Sequence, residues 1–193
     1  MGRTSSRTGR RAPEERKRAL QQAAVEVVAR EGVRGLTYRA VAAAAGVTTG
    51  AVQHHFASLD DLLRSSLDWV LEESSENGLL GARTGVFADG ANVRKRFTES
   101  ADIQVFQYRL VVESRVREEL RPVVRRLYDS YLAAVAKDLA AAGKEPPEGL
   151  AALVYYALDG MFLHQVADPE ADPGAALDAL RMLLEAAAHP VAR

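Results

Sequence analysis

Between Thr37 and Phe56 two short helical patterns stand almost end to end, separated by little more than Gly46 and Val47. Thr37 is a good N-cap for Tyr38 to Ala45, an alanine-rich stretch that Gly46 can close in a left-handed C-terminal cap. Thr48 or Thr49 can cap a second stretch running through Ala51, Val52, Gln53, His54 and His55 to Phe56. Val47 is expected to be the buried residue of the turn. The small residues Ala40, Ala43, Ala44, Gly50 and Ala51 let two helices cross closely at a steep angle, which is what a helix-turn-helix requires.

The surrounding sequence extends this into an all-α chain of about nine helices. Leu20, Ala23, Ala24, Val27 and Val28 recur at helical spacing and predict a first helix from Pro13 to Glu31, stopped by Gly32. Ser58 caps a long fourth helix to Glu76 that carries Leu59, Leu62, Leu63, Leu67, Val70 and Leu71. Glycines at 78, 81, 85 and 90 mark a loop. Further helices are expected at about 91–100, 101–117, 119–142, 148–167 and 173–188, with Pro122 in the first turn of one of them. No alternating apolar and polar run is long enough for a strand. The expected organisation is a disordered basic arm over 1–12, a helix-turn-helix domain over 13–57, and a helical ligand-binding and dimerisation bundle over 58–193.

Charge divides the same way. Residues 1–57 hold ten Lys/Arg against four Asp/Glu, while the whole chain has a net charge of -1, so a basic head sits on an acidic body. That asymmetry is expected when only the head meets phosphate. The chain has no cysteine, which excludes disulfides and thiolate chemistry and suits a reducing cytoplasm. The arginine-rich N-terminus lacks the apolar core of a signal peptide, and no run of about 18 consecutive apolar residues suggests a membrane span.

In a helix-turn-helix the second helix enters the major groove, so the exposed residues from Thr48 onward would meet base edges. Gln53 is the best candidate reader, because its amide can pair bidentately with adenine; Thr48, Thr49 and His54 can add hydrogen bonds or touch a thymine methyl. Thr37 and Arg39 are placed to hold phosphate, and Arg10 and Arg11 in the arm are expected on the backbone or in a minor groove. His54 and His55, adjacent on a helix, diverge too far to chelate one metal. No metal site or cofactor is expected. With no phosphate loop, His-Glu-x-x-His or Gly-x-Ser-x-Gly motif, an enzyme is not expected either.

The segment from Leu36 to Leu63, with Gly46-Val-Thr-Thr-Gly50-Ala-Val-Gln-His-His55-Phe56 at its centre, resembles the DNA-binding domain of the tetracycline-repressor (TetR) family. The resemblance spans about residues 15 to 65 and is weaker beyond, where the Leu158-Asp159-Gly160 step looks like the family's penultimate helix. It implies a regulator that binds a near-palindromic double-stranded operator as a homodimer and carries a pocket for a small-molecule effector. Two positions depart from the pattern: Gln53 stands where family members usually carry a phosphate-contacting tyrosine, and Leu59 where they usually carry lysine. The basic arm is expected to compensate.

Trp69, Phe106, Arg109, Tyr155 and Phe162 are the candidate pocket residues. The last two helices are apolar on more than one face, which predicts a dimer interface through Leu150, Leu153, Ala157, Met161, Leu177, Leu180 and Leu184. The alternative function is a helical ligand-binding or adaptor protein that has lost DNA binding.

Overall fold

The computed structural model describes residues 8–76, 101–141 and 147–187. Among the described residues the chain is all-helical: α1 (Thr8–Glu31), α2 (Tyr38–Ala44), α3 (Thr49–His55), α4 (Leu59–Glu76), α5 (Ala101–Glu113), α6 (Arg121–Ala141), α7 (Leu150–Ala167) and α8 (Gly174–Ala187), with 3-10 turns at Val33–Gly35 and Glu118–Leu120. The helix expected at 91–100 lies outside the described residues.

The first helix starts earlier than expected. α1 begins at Thr8 and runs through Pro13, whose ring removes the one hydrogen bond that its amide would give the Gly9 carbonyl. Losing one bond near a helix start does not stop it. Arg10 and Arg11 therefore lie on the first turns of α1 rather than in an unfolded arm; residues 1–7 are outside the described part.

The chain forms two compact units. The first takes residues 8–70 with 105–123, the second residues 71–76, 101–104, 124–141 and 147–187. This division does not fall at the expected boundary after residue 57. Most of α4 and α5 belong with α1 to α3, because their apolar faces complete that core: Leu62, Leu63, Leu67, Val70, Phe106 and Leu110 are enclosed in it along with Val27, Val28, Val41 and Val52. α2 packs on both α1 and α3. The Gln21 amide, buried on α1, donates from Nε2 to the carbonyl oxygen and Oγ of Ser65, both at 2.8 Å, and so ties α1 to α4 with its polar group satisfied.

In the second unit α6 buries Val124, Leu127, Tyr131, Val135 and Leu139, and α7 buries Val154, Tyr155, Leu158 and Phe162. Tyr155 is the centre of an aromatic group, stacked on Tyr131 (ring centroids 5.8 Å apart, planes 18° apart) and met edge-on by Tyr128 (5.9 Å). Burial pushes the Tyr155 hydroxyl well above its ordinary pKa. α7 is long and apolar enough to cross a membrane by length and composition alone. It also carries Asp159, His164 and Gln165, and one of its faces lies in the core of this unit.

Leu177 and Leu184 of α8 are only 1% and 2% exposed, so these two expected dimer-interface residues lie in the core of the second unit. α8 has apolar residues around more than half its circumference, and the face turned inward is the one bearing Leu177 and Leu184. Leu150, Ala157, Met161 and Leu180 are half-buried, and Leu153 is exposed.

Candidate nucleic-acid interface

The two short helices are set by their ends. Thr37 sits in an extended conformation before α2 and its Oγ accepts from the Ala40 amide at 3.1 Å; Thr48 does the same for α3, accepting from Ala51 at 3.3 Å. At the other end of α2 the chain turns at Gly46, with φ +66°. The Val47 amide donates to the Ala42 carbonyl (2.9 Å) and the Gly46 amide to that of Ala43 (3.3 Å), the paired bonds of a Schellman cap. Val47 itself is 42% exposed, against the expectation that it would be buried. The turn is held by backbone hydrogen bonds, so no side chain has to be sunk at this position.

α3 then shows two faces. Val52 is buried on one side and Phe56, just past the helix end, is buried with it; His55 is half-buried. Thr49, Gly50, Gln53 and His54 are exposed. Positions 49 and 53, and 50 and 54, are one turn apart, so these four form a single outward surface in which Gly50 adds no bulk. Of the expected base-contacting residues, Thr49, Gln53 and His54 lie on this surface, and Thr48 is exposed at the helix start with its oxygen engaged in the cap. His54 and His55 meet edge-on, with ring centroids 5.5 Å apart. Among the described residues no group of His, Asp and Glu could hold a metal ion.

The expected phosphate contacts Thr37 and Arg39 are also exposed, at the start of α2. Behind α3 the chain restarts at once. Ser58 Oγ accepts from the Asp61 amide, and the Asp61 carboxylate accepts from the amide of Ala57, both at 3.0 Å, a reciprocal cap that fixes where α4 leaves the recognition helix. Leu59, in the family's lysine position, is the first residue of α4 and half-buried.

Two arginines that sequence reasoning did not connect to this region touch it. Arg117 pairs with Asp60 in the first turn of α4 at 2.6 Å and with Glu119 at 3.0 Å. Its hydrogen bonds to Glu119 and Asp60 raise its own pKa, and Glu119 is held below the ordinary carboxylate range by a backbone hydrogen bond and by Arg117. Arg109, a candidate pocket residue, lies against the end of α1: a Cβ on Gly32 would stand 2.7 Å from its Nη1. Gly32, at φ +81°, is favoured by the left-handed turn, while the Arg109 guanidinium, at the end of a flexible side chain, could move aside for a Cβ there.

The candidate pocket residues are divided between the units. Phe106 is enclosed in the core of the first unit, to which Trp69 and Arg109 also belong; Tyr155 and Phe162 are buried in the second.

Comparison with known proteins identifies the family. Residues 20–65 match the family described as "Bacterial regulatory proteins, tetR family", and residues 86–186 match "Tetracyclin repressor-like, C-terminal domain". The transcriptional repressor KstR2 of Mycobacterium tuberculosis is 41% identical over 59 residues, a match that spans 28% of this chain and only 30% of KstR2. The transcriptional regulator BetI of Burkholderia mallei is 30% identical over 162 residues, 77% of this chain and 80% of BetI. The crystal structure of the multidrug binding protein EbrR with ethidium is similar at a TM-score of 0.57 and 26% identity, covering 88% of this chain and 98% of that one. A helix-turn-helix with an exposed recognition surface, joined to a helical C-terminal region that matches along its length, places this chain in the TetR family of bacterial transcription regulators.

Proposed function

We propose that the chain is a homodimeric, cytoplasmic repressor that binds a near-palindromic operator and leaves it when a small organic molecule binds. The observation that carries this is the outward surface of α3: Thr49, Gly50, Gln53 and His54 are all exposed on a helix whose other face is fastened by Val52 and Phe56. Such a helix can enter a major groove without disturbing the core behind it. Gln53 reads adenine, His54, Thr48 and Thr49 add contacts, and Thr37, Arg39, Arg10 and Arg11 position the protein on phosphate.

A dimer is needed to read two half-sites. Leu153, Tyr156 and Leu163 stand exposed at helical spacing on α7, and Met182 and Leu183 stand exposed on α8. Large apolar side chains left outside in this way favour burial against a second copy. The names of KstR2 and BetI support transcriptional regulation, and repression in the case of KstR2. The ethidium complex of EbrR supports a small organic effector. A ligand shifts operator affinity only by its differential affinity for the two states.

Selection of sites from a random duplex pool tests the reading. The wild type should enrich a palindrome, and Gln53→Ala should enrich the same palindrome with a relaxed preference at one base pair per half-site, at a cost of about 1–3 kcal/mol for the correct base. Failure to enrich any duplex would favour the adaptor.

A further inference from the structure

The compact unit that carries α1 to α3 is not continuous in sequence. Residues 105–123 complete it, bringing most of α5 and the corner that leads into α6. That corner is held from within. The Arg117 amide donates to the Glu113 carbonyl at 2.9 Å, and the Arg117 carbonyl accepts from the Leu120 amide at 3.0 Å. Leu120 is buried, and Arg121 Nε donates to the Ser114 carbonyl at 3.3 Å. Backbone bonds on both sides thus fix where the Arg117 side chain starts.

Its guanidinium is fixed as well. Nε donates to Glu119 and Nη2 to Asp60, and two bonds from a planar fork set both its place and its plane. Asp60 lies 57 positions earlier in the chain, in the first turn of α4, where Arg64 Nε also donates to its carbonyl at 3.2 Å. Only Phe56, Ala57 and Ser58 separate that turn from the last residue of α3, and the cap between Ser58 and Asp61 keeps the link stiff. α3 itself has two buried anchors, Val52 and Phe56. A tilt about the line joining them would redirect the outward surface without breaking either contact.

We propose that Arg117 is a positioning residue for DNA reading: through Asp60 it fixes the first turn of α4, and so the direction in which α3 presents Thr49, Gln53 and His54. This rests on the reading of α3 as the helix that enters the groove. Arg117 acts without touching the duplex, since two carboxylates already take its donors. Base contacts demand a set orientation, whereas attraction to phosphate tolerates a tilt. The bridge therefore acts on sequence preference more than on affinity for duplex in general.

The full chain is titrated with two labelled duplexes of equal length, the palindrome that the wild type enriches and a scrambled sequence. In Arg117→Ala and in Asp60→Ala the ratio of the two affinities should fall about three- to fivefold, the bound set by a part-exposed pair. The double variant should fall no further, because one and the same bridge is lost in all three. Arg117→Lys keeps the charge and stays closer to the wild type. Unchanged helix content by circular dichroism shows that the variants fold. An intact ratio in Arg117→Ala overturns the proposal. If both affinities then drop together with a shallower salt dependence, Arg117 meets phosphate itself; if they drop together and Asp60→Ala restores them, Arg117 only masks a charge. Additive losses in the double variant overturn it too. If the wild type enriches no palindrome, the reading of α3 falls and this proposal with it; if it does and the variants keep the ratio, the proposal alone falls.

Discussion

Replacing Asp138 with asparagine should change how stability depends on pH, and the size of the change follows from its burial. The carboxyl is raised from 3.8 to about 6 in the folded protein. Between those values the native state holds a proton that the unfolded chain has released. The native state therefore binds more protons, and stability falls as pH rises through the window. The penalty is absent below the unfolded value and complete above the folded one. At about 1.4 kcal/mol per unit it reaches at most about 3 kcal/mol near neutral pH, of which about 2 kcal/mol develops between roughly pH 4.5 and 7.5. Asparagine keeps the shape and cannot ionise. Urea unfolding of both proteins across that range should show the stability difference moving in favour of Asp138→Asn by about 2 kcal/mol as pH rises. The comparison cancels the titration of every group the two proteins share. A difference constant to within about 0.5 kcal/mol would mean that Asp138 is solvated in the folded state, and the reasoning from burial would be refuted.

Gly46→Ala should lower stability by about 1 kcal/mol in thermal or urea unfolding, from backbone strain alone, because a Cβ there would meet nothing within 4 Å; Gly46→Asn should cost less, since asparagine tolerates the left-handed region better. Arg117→Ala removes the bridge to Asp60 and Glu119, yet its partly exposed pairs are worth no more than about 1 kcal/mol in global stability. The effect should appear instead as faster amide hydrogen exchange in the first turn of α4. Leu153→Glu, on the outward face of α7, should yield a monomer by sedimentation while leaving helix content intact, because that side chain contributes little to the core of its own subunit.

The parts of the fold governed by neighbours in sequence were readable from it. Thr37, Thr48 and Ser58 cap helices, and Gly32 and Gly46 end them at positive φ, because caps and left-handed turns are decided by a few adjacent residues. The exposure of Gln53 and His54 and the burial of Phe56 follow from the same local pattern. What depends on distant packing was not readable. Val47 was expected inside and lies outside, because backbone bonds already hold the turn. Leu177 and Leu184 were expected at the subunit interface and face inward, because a helix apolar around most of its circumference does not declare which face meets its own core. Proline is a weak stop near a helix start, and so α1 begins at Thr8. Asp138 went unnoticed: its unusual feature is a missing partner, and an aspartate in a helix is ordinary until its surroundings are known.

The backbone-held turn before α3 has a consequence for how such a protein changes over time. Position 47 and the outward positions 49, 53 and 54 carry almost none of the folding load, which rests on the caps, on Gly46, and on Val52 and Phe56. Substitutions on that surface should therefore be nearly silent in stability, and under the proposed function they alter which bases are met. Operator preference can drift, or be redesigned, through viable intermediates without compensating changes in the core, so a duplicated copy of this gene could acquire a new regulon by a short series of surface mutations.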